Sequence, residues 1–435
     1  MPEQIGRDGN IFGIGPSIDS MRRRTFLQLA AAAPVIAQSP KAPSGIAWTQ
    51  WGGPHRDFTT EAAGLKDQWP ANGPKVIWKR PLGEGYSSPA VENNVLYTLY
   101  GKPREEVVTA CDAATGKTLW EHTTPMTFTS DAASDMGNGP YSTPLLVGDR
   151  LFTTGVAGRL QAIDKNSGKL LWTQQLWDDH KGTRVMYGYA SSPIAWHDTV
   201  IVPVGGRGRA VMAFKQADGS VAWSRNDFGN AYSSPLLIHV DGLEQLVVLM
   251  DGAVFAVNPA NGDLQWETPF RAGYGIAVST PVWGAGNLLF FSAEYDAGAK
   301  VMHLERSGNQ VKATQVWESN RLRLHHGNAM RIGDTLYFSS GGKGSVAIFT
   351  AADVRTGKVL WQDRAIGKAT FVWADQKLIT LGGDGNLMIV HPTQEGFKVA
   401  AKAELLTSLA WTPPVLVGSR LYMRDRRNMM AVELG

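Results

Sequence analysis

The chain of 435 residues contains one cysteine, Cys111, and no excess of charge of either sign. A single cysteine cannot form an intramolecular disulfide, and it excludes the paired-cysteine motifs of zinc sites and thiol oxidoreductases. The 42 basic residues are nearly balanced by 39 acidic ones. Because nucleic-acid binding needs a basic surface, we expect no nucleic-acid partner.

Catalytic signatures and long apolar segments are missing as well. The sequence has no P-loop, no dinucleotide-binding glycine motif and no nucleophile elbow, so catalytic residues stay unassigned. Its N-terminal apolar run, residues 26–33, is too short to span a bilayer permanently, and we expect no stable membrane anchor.

The N-terminal region has the features of an export signal. Three arginines at residues 22–24 precede the apolar run, and small or apolar residues follow up to Ala37. This pattern resembles a twin-arginine (Tat) export signal, which implies a periplasmic or secreted protein; the alternative is a basic disordered tail. We predict a signal region at residues 1–37 with the true start at Met21, a linker at 38–47 and one domain at 48–435.

A repeated string dominates the rest of the chain. It is DAATGKTLW at residues 112–120 and DKNSGKLLW at 164–172, and weaker copies end at Trp223, Trp266 and Trp361. Each copy predicts a hairpin with a glycine at positive φ in its turn and a tryptophan in its last strand. The turn glycines recur at steps of 52, 51, 43, 46 and 49 residues: Gly116, Gly168, Gly219, Gly262, Gly308 and Gly357.

A second string, YSSP or a variant, precedes each hairpin and predicts the start of the first strand of a unit. With tight-turn signals in between, one unit is four strands, and the period indicates the blades of a β-propeller. We count eight blades, with a ring of residues at the blade starts: Tyr86, Tyr141, Ala190, Tyr232, Val278, His326, Lys368 and Trp411.

The two ends of the repeat region complement each other. Residues 74–80 are a tryptophan strand without a hairpin, and residues 412–435 are a blade start without a tryptophan strand. We therefore predict an all-β, eight-bladed β-propeller of four-stranded antiparallel blades, whose last blade is closed by an N-terminal strand. Because Ala400 replaces tryptophan in blade seven, seven blades plus an irregular segment is the alternative.

Together the two strings resemble the pyrroloquinoline-quinone (PQQ) enzyme repeat, the blade of quinoprotein dehydrogenases and of the outer-membrane-assembly lipoprotein propeller. The resemblance covers residues 48–435 and implies the fold more than the function. Quinoprotein alcohol dehydrogenases of this family typically carry a disulfide of adjacent cysteines, which this chain cannot form. We therefore expect an exported, monomeric, non-catalytic scaffold for a protein, glycan or small-molecule ligand. The alternatives are a PQQ-dependent dehydrogenase with Ca²⁺ and a carbohydrate-active propeller enzyme.

The ring of blade-start residues gives the candidate site. Innermost strands surround the axial channel of a propeller, so these residues are expected at one channel mouth, where aromatic rings can stack a ligand. The alternative is that they only plug the channel. The arginine-rich loop at residues 321–328 adds further candidates for ligand contact. We expect no metal site. The predicted ligand-binding residues are Tyr86, Tyr141, Tyr232, His326, Lys368, Trp411, Arg323 and Asn328.

The tryptophan series and Cys111 are assigned structural roles. One tryptophan per blade at a fixed position predicts packing between blades. Cys111 stands at a repeat position that is mostly apolar in the other blades, so we expect a buried, unreactive thiol.

Overall fold

The computed structural model describes residues 47–133, 135–341 and 346–435. The predicted signal region and nearly all of the predicted linker lie outside these residues. Within them, the strands form eight four-stranded antiparallel sheets, which confirms the predicted eight-bladed propeller.

The first four blades follow each other along the chain after β1 (Lys75–Pro81). Each blade begins at the innermost strand and ends at the outermost. Blade 1 contains β2 (Ala90–Glu92), β3 (Val95–Lys102), β4 (Glu105–Asp112) and β5 (Thr118–Pro125); blade 2 contains β6 (Leu145–Val147), β7 (Arg150–Thr154), β8 (Arg159–Asp164) and β9 (Leu170–Gln175); blade 3 contains β10 (Ile194–Trp196), β11 (Thr199–Pro203), β12 (Val211–Lys215) and β13 (Val221–Arg225); blade 4 contains β14 (Leu236–Val240), β15 (Leu243–Met250), β16 (Ala253–Val257) and β17 (Leu264–Pro269).

The last four blades continue the pattern, and two short 3-10 turns, Asp131–Ala133 and Gly273–Gly275, lie between blades. Blade 5 contains β18 (Val282–Gly284), β19 (Leu288–Ala293), β20 (Gly298–Ser307) and β21 (Gln310–Ser319); blade 6 contains β22 (Met330–Ile332), β23 (Thr335–Ser339), β24 (Phe349–Asp353) and β25 (Val359–Asp363); blade 7 contains β26 (Ala369–Ala374), β27 (Lys377–Gly382), β28 (Asn386–Pro392) and β29 (Phe397–Glu404); blade 8 contains β30 (Val415–Val417), β31 (Arg420–Arg424) and β32 (Asn428–Glu433).

The N-terminal strand closes the ring as predicted. β1 pairs antiparallel with β32, from Lys75 opposite Glu433 to Pro81 opposite Asn428, and is the outermost strand of blade 8. The alternative of seven blades plus an irregular segment is wrong, because β26 to β29 form a complete sheet without the tryptophan.

The tryptophan of the outermost strand joins each blade to the next in most seams. The Trp120 indole donates to the Lys165 carbonyl of blade 2 over 3.0 Å, and its ring lies against Gly168 in the same turn. The contact recurs from Trp78 to blade 1, from Trp172 to blade 3, from Trp223 to blade 4, from Trp317 to blade 6 and from Trp361 to blade 7. Trp266 instead donates to Gln245 of its own blade.

Hydroxyl groups of the blade-start strings form a second set of links between blades near the axis. The Ser191 Oγ donates to the Ser233 carbonyl over 2.8 Å, and the Ser233 Oγ donates to the Ser279 carbonyl over 3.0 Å. These groups are buried, where an unpaired carbonyl would be costly. The repeated SS and ST pairs therefore link neighbouring blades by hydrogen bonds near the axis of the ring.

Residues 48–60, which we call the plug, occupy the axial channel and contact the innermost strands of blades 1 to 5 and 7. Its backbone pairs with Val91, Leu146 and Trp373. The buried Arg56 guanidinium donates to the carbonyls of Ser192, Pro193 and Pro235. Burial lowers the pKa of Arg56 to about 9, so it remains charged at neutral pH.

Two further features bear on the predictions. Cys111 is fully buried in β4, and burial raises the pKa of its thiol, as a structural cysteine requires. Among the described residues, no helix has the length and apolar character needed to cross a bilayer.

Candidate functional site

The candidate site is a cavity at the mouth of the axial channel, formed by the segments that precede the innermost strands. Its empty volume is about 1090 Å³, including space open to solvent. Trp51 of the plug contributes to its wall, whereas Arg56 contributes to a smaller cavity of about 490 Å³. The mouth cavity is lined by Trp51, Tyr86, Met136, Tyr141, Tyr187, Ala190, Ser192, Tyr232, Ser234, Ile276, Val278, Tyr295, His325, His326, Trp411 and Pro413.

A continuous arc of rings runs along one side of this cavity. Tyr141 and Tyr86 are stacked with centroids 6.0 Å apart and planes 5° apart, and Tyr86 is stacked on Trp411 at 5.7 Å and 19°. The arc continues from Trp411 to His326 at 4.3 Å and from His326 to His325 at 4.5 Å. This side of the cavity therefore offers a ligand contact with aromatic rings rather than with charged groups.

The tyrosine hydroxyls of the wall are used inside the protein. The Tyr86 hydroxyl donates to the Met136 carbonyl over 2.7 Å, and the Tyr141 hydroxyl donates to the Gly137 carbonyl over 2.9 Å. The Tyr232 hydroxyl accepts from the Tyr187 backbone N–H. Burial raises the pKa of Tyr86 and Tyr232 to about 12 and raises that of Tyr141. The phenols are therefore neutral and hold the loops before blades 2 and 3 in place.

Two histidines form a hydrogen-bonded chain in the wall. The Nδ1 atoms of His325 and His326 are 2.5 Å apart, and the His325 Nε2 lies 3.1 Å from the Tyr295 hydroxyl. Burial and the nearby Lys368 charge lower the pKa of His325 to about 4 and that of His326 well below its ordinary value. Both rings are thus neutral at pH 7, and one Nδ1 donates to the other.

Lys368 lies directly beside the arc. Its Nζ is 4.6 Å from the centroid of the Trp411 ring, a cation–π geometry. Burial lowers the pKa of Lys368 to about 8, and the Glu294 carboxylate opposes this shift. Burial raises the pKa of Glu294 in turn. Lys368 therefore brings a partly desolvated ammonium group to the mouth, and the Glu294 carboxyl group acts on it without forming an ion pair.

The structure places the eight predicted residues in four different positions. Five line the cavity, and Lys368 touches the wall through Trp411. Arg323 is not in the wall; it pairs with Asp296 at 3.2 Å. Asn328 is buried, and its side-chain amide both donates to and accepts from the Phe371 backbone, which ties blade 6 to blade 7. The five predicted residues that line the cavity are Tyr86, Tyr141, Tyr232, His326 and Trp411.

Several wall residues could not be predicted because they lie outside the repeat. Trp51 belongs to the plug, and Met136 and Tyr187 belong to loops between blades. His325 precedes His326 in the arginine-rich loop, but side chains of adjacent residues in an extended segment point to opposite faces, so the sequence did not indicate that both rings reach the wall. Of the tyrosines near the predicted ring, Tyr189 is buried and donates to the Pro203 carbonyl.

The residues at the mouth do not fit PQQ bound with a metal ion. PQQ carries three carboxylates, whereas the described residues of the mouth offer one ammonium group and no carboxylate in the wall to hold a cation. The described part of the chain contains no cluster of three or more histidine, cysteine or acidic side chains suited to a metal. The wall residues that the structure describes include no pair of carboxylates for glycoside cleavage.

Comparisons with known proteins agree with this architecture. Outer membrane protein assembly factor BamB of Yersinia pestis is 24% identical over 293 residues, which are 65% of this chain and 71% of that protein. Quinohemoprotein alcohol dehydrogenase ADH IIB of Pseudomonas putida is 30% identical over 141 residues, which are 32% of this chain but only 19% of that enzyme. The sequence similarity to this enzyme thus covers about a third of the chain.

Solved structures match almost the whole ring. A europium-containing methanol dehydrogenase superposes with a TM-score of 0.65 at 13% identity, covering 87% of this chain and 89% of that chain. At this identity the match shows the fold alone. The family model described as outer membrane protein assembly factor BamB matches residues 104–363, more than half of the chain. This chain therefore belongs to the BamB family of PQQ-repeat β-propellers.

Proposed function

We propose that this protein is an exported, non-catalytic scaffold that holds an apolar or aromatic segment of a protein partner in its channel mouth. The observation that carries the proposal is the wall itself, in which Tyr86, Tyr141 and Trp411 are stacked in series while the tyrosine hydroxyls bond to the backbone. Such a wall buries apolar groups and offers few free polar contacts.

The comparisons support a binding role over an enzymatic one. The family model and the relative from Yersinia pestis carry the name of an assembly factor, and the latter matches over most of its own length. The alcohol dehydrogenase matches over a fifth of its length. The arginines at residues 22–24 and the apolar run after them support export to the periplasm or beyond.

The test uses the chain purified from the periplasm of cells that express the full sequence. We expect an array of unstructured peptides to show binding that depends on aromatic or large apolar residues. Tyr141→Ala and Trp411→Ala should each weaken it about ten-fold or more, because aromatic anchors dominate such sites. Trp196→Ala is the control, since Trp196 lies on blade 3 outside the cavity wall.

A dehydrogenase would behave differently in the same preparation. If PQQ with Ca²⁺ raised the thermal midpoint and the loaded chain reduced a dye with alcohols, the scaffold proposal would be wrong. Peptide binding that neither Tyr141→Ala nor Trp411→Ala changes would also contradict it, because the mouth would then not be the site.

A further inference from the structure

The ammonium group of Lys368 differs from those of the other part-buried lysines. Lys165 pairs with Glu92, Lys300 pairs with Glu318 at 3.4 Å, and Lys377 pairs with Asp375 at 2.8 Å. Among the described residues the Lys368 ammonium group makes no hydrogen bond and no ion pair; its contact is the face of Trp411, whose ring centroid is 4.6 Å from Nζ. A half-buried cation without a counter-ion is a costly arrangement that an anionic ligand would relieve.

The groups around Lys368 leave this charge largely uncompensated. His325 and His326 are neutral at pH 7. Arg323 is compensated by its own ion pair with Asp296. Glu294 acts on Lys368 only through longer-range electrostatics, because the two side chains are not within ion-pair distance.

We propose that the mouth binds an aromatic carboxylate, with its ring on the arc of Tyr86, Tyr141 and Trp411 and its carboxylate on the Lys368 ammonium. The proposal rests on the proposed function, since it takes the mouth as the binding site, and it adds the chemical class of the ligand. The shared chemistry is a ring linked to a carboxylate, which either a free aromatic acid or the C-terminal aromatic residue of a polypeptide supplies.

Other ligand classes fit this mouth less well. A sugar needs many hydrogen bonds, but the hydroxyls of Tyr86 and Tyr141 are already bonded to backbone carbonyls. A cationic ligand would be repelled by Lys368. An uncharged apolar group would fill the cavity but leave the ammonium group buried without a partner.

Matched ligands isolate the role of the carboxylate. Titration calorimetry compares N-acetylphenylalanine with N-acetylphenylalaninamide, in which an uncharged carboxamide of similar shape replaces the carboxylate. We expect the acid to bind at least ten-fold tighter than the amide, as charge-assisted contacts in desolvated sites do. The peptide Ala-Ala-Ala-Phe, with a free or an amidated C-terminus, distinguishes the two sources of the carboxylate. If the free-acid peptide binds tighter than N-acetylphenylalanine, the ligand is the C-terminus of a polypeptide. If it binds more weakly, the ligand is a free aromatic acid.

Variants assign the effect to Lys368. Lys368→Met should abolish the preference for the acid, because it removes the charge but keeps an apolar side chain against Trp411. Lys368→Arg should retain the preference for the acid. Glu294→Gln should strengthen acid binding, because it removes a competing negative charge. Lys117→Met, in an exposed turn of blade 1, is the control and should change nothing.

The outcomes separate this inference from the proposed function. Equal binding of acid and amide to the unaltered chain, or a preference that survives Lys368→Met, would overturn the carboxylate subsite but leave an aromatic binding mouth. Absence of binding by both ligands and by the aromatic peptides of the array would overturn both.

Discussion

Glu106 is a buried carboxyl group away from the mouth that the proposed function does not use. It lies in β4 at the seam between blades 1 and 2, where its Oε2 accepts from the Val156 N–H over 3.1 Å. Its Oε1 is buried without a hydrogen-bond partner among the described residues. Burial raises the pKa of Glu106 from 4.5 to about 7.

This shift predicts a loss of stability as the pH rises. Between pH 4.5 and pH 7 the folded chain holds a proton on Glu106 that the unfolded chain has released, so the free energy of unfolding falls through this range and is constant above it. Relative to the unaltered chain, Glu106→Gln should gain roughly 1–3 kcal/mol between pH 5 and pH 8. Urea unfolding at both pH values measures the gain.

The neighbouring exposed Glu105 supplies the control. Glu105→Gln should show no such pH-dependent gain, because an exposed carboxylate is solvated in both states. If the unfolding free energies of Glu106→Gln and the unaltered chain run parallel from pH 5 to pH 8, Glu106 does not carry the raised pKa.

The repeat pattern predicted part of the candidate site and could not predict the rest. Tyr86, Tyr141, Tyr232 and Trp411 share one position in each blade, so alignment of the repeats is sufficient to place them at one mouth. Residues such as Trp51 and Met136 reach the cavity through segments that no repeat constrains. Their position depends on long-range contacts, which sequence periodicity does not report.

At the scale of the element, the turn glycine in blades 1, 2, 3, 4 and 6 fits against the tryptophan of the preceding blade. Gly168 has φ +74°, and a Cβ built on it would lie 2.6 Å from Cε3 of Trp120. The turn of blade 5 lacks this contact: Gly308 has φ +64° and open space around it, because β20 and β21 extend the hairpin to ten residues per strand. The exception coincides with Trp266, which bonds within its own blade.

These two glycines give a matched pair of substitutions. Gly168→Ala should lower the free energy of unfolding by about 2–4 kcal/mol, since it adds a clash with Trp120 to the strain of positive φ. Gly308→Ala should lower it by only about 1 kcal/mol, which is the strain alone. Chemical denaturation of both variants tests the difference, and equal losses would show that the tryptophan contact does not limit this position.

The same contacts explain why the sequence predicted the blades so well. A turn glycine and a tryptophan at fixed spacing are demanded by packing between neighbours, so they remain visible in every regular blade. Blade 7 carries Ala400 instead, yet its strands pair in the usual order. Backbone pairing and the packing of the inner strands therefore suffice to form a blade when one neighbour contact is lost.

At the scale of the whole molecule, closure depends on a strand that is distant in sequence. Lys75 of β1 lies opposite Glu433 of β32, so the start of β1 and the end of β32 are adjacent and a short turn can join them. We predict that a permuted chain, beginning at Leu82 and carrying residues 75–81 after residue 435 through such a turn, forms a monomeric propeller.

A chain that simply begins at Leu82 is the matched control, because both chains lack the plug. The shortened chain should aggregate or dimerise, since β32 would be left as an unpaired edge. Size-exclusion chromatography and circular dichroism distinguish the two. If both chains were equally monomeric and folded, β1 would be dispensable; if both failed, the plug rather than β1 would hold the ring together.

Closure by β1 also means that the ring can be completed only late in the synthesis of the chain. The chain makes β1 first, and its partner β32 begins at Asn428, 428 − 81 = 347 residues after Pro81. At roughly 5–20 residues per second, a ribosome needs about 17–70 s to cover that distance. β1 therefore stays without its strand partner during most of synthesis. The ring closes only when the last strand to be synthesised, β32, pairs with the first, β1.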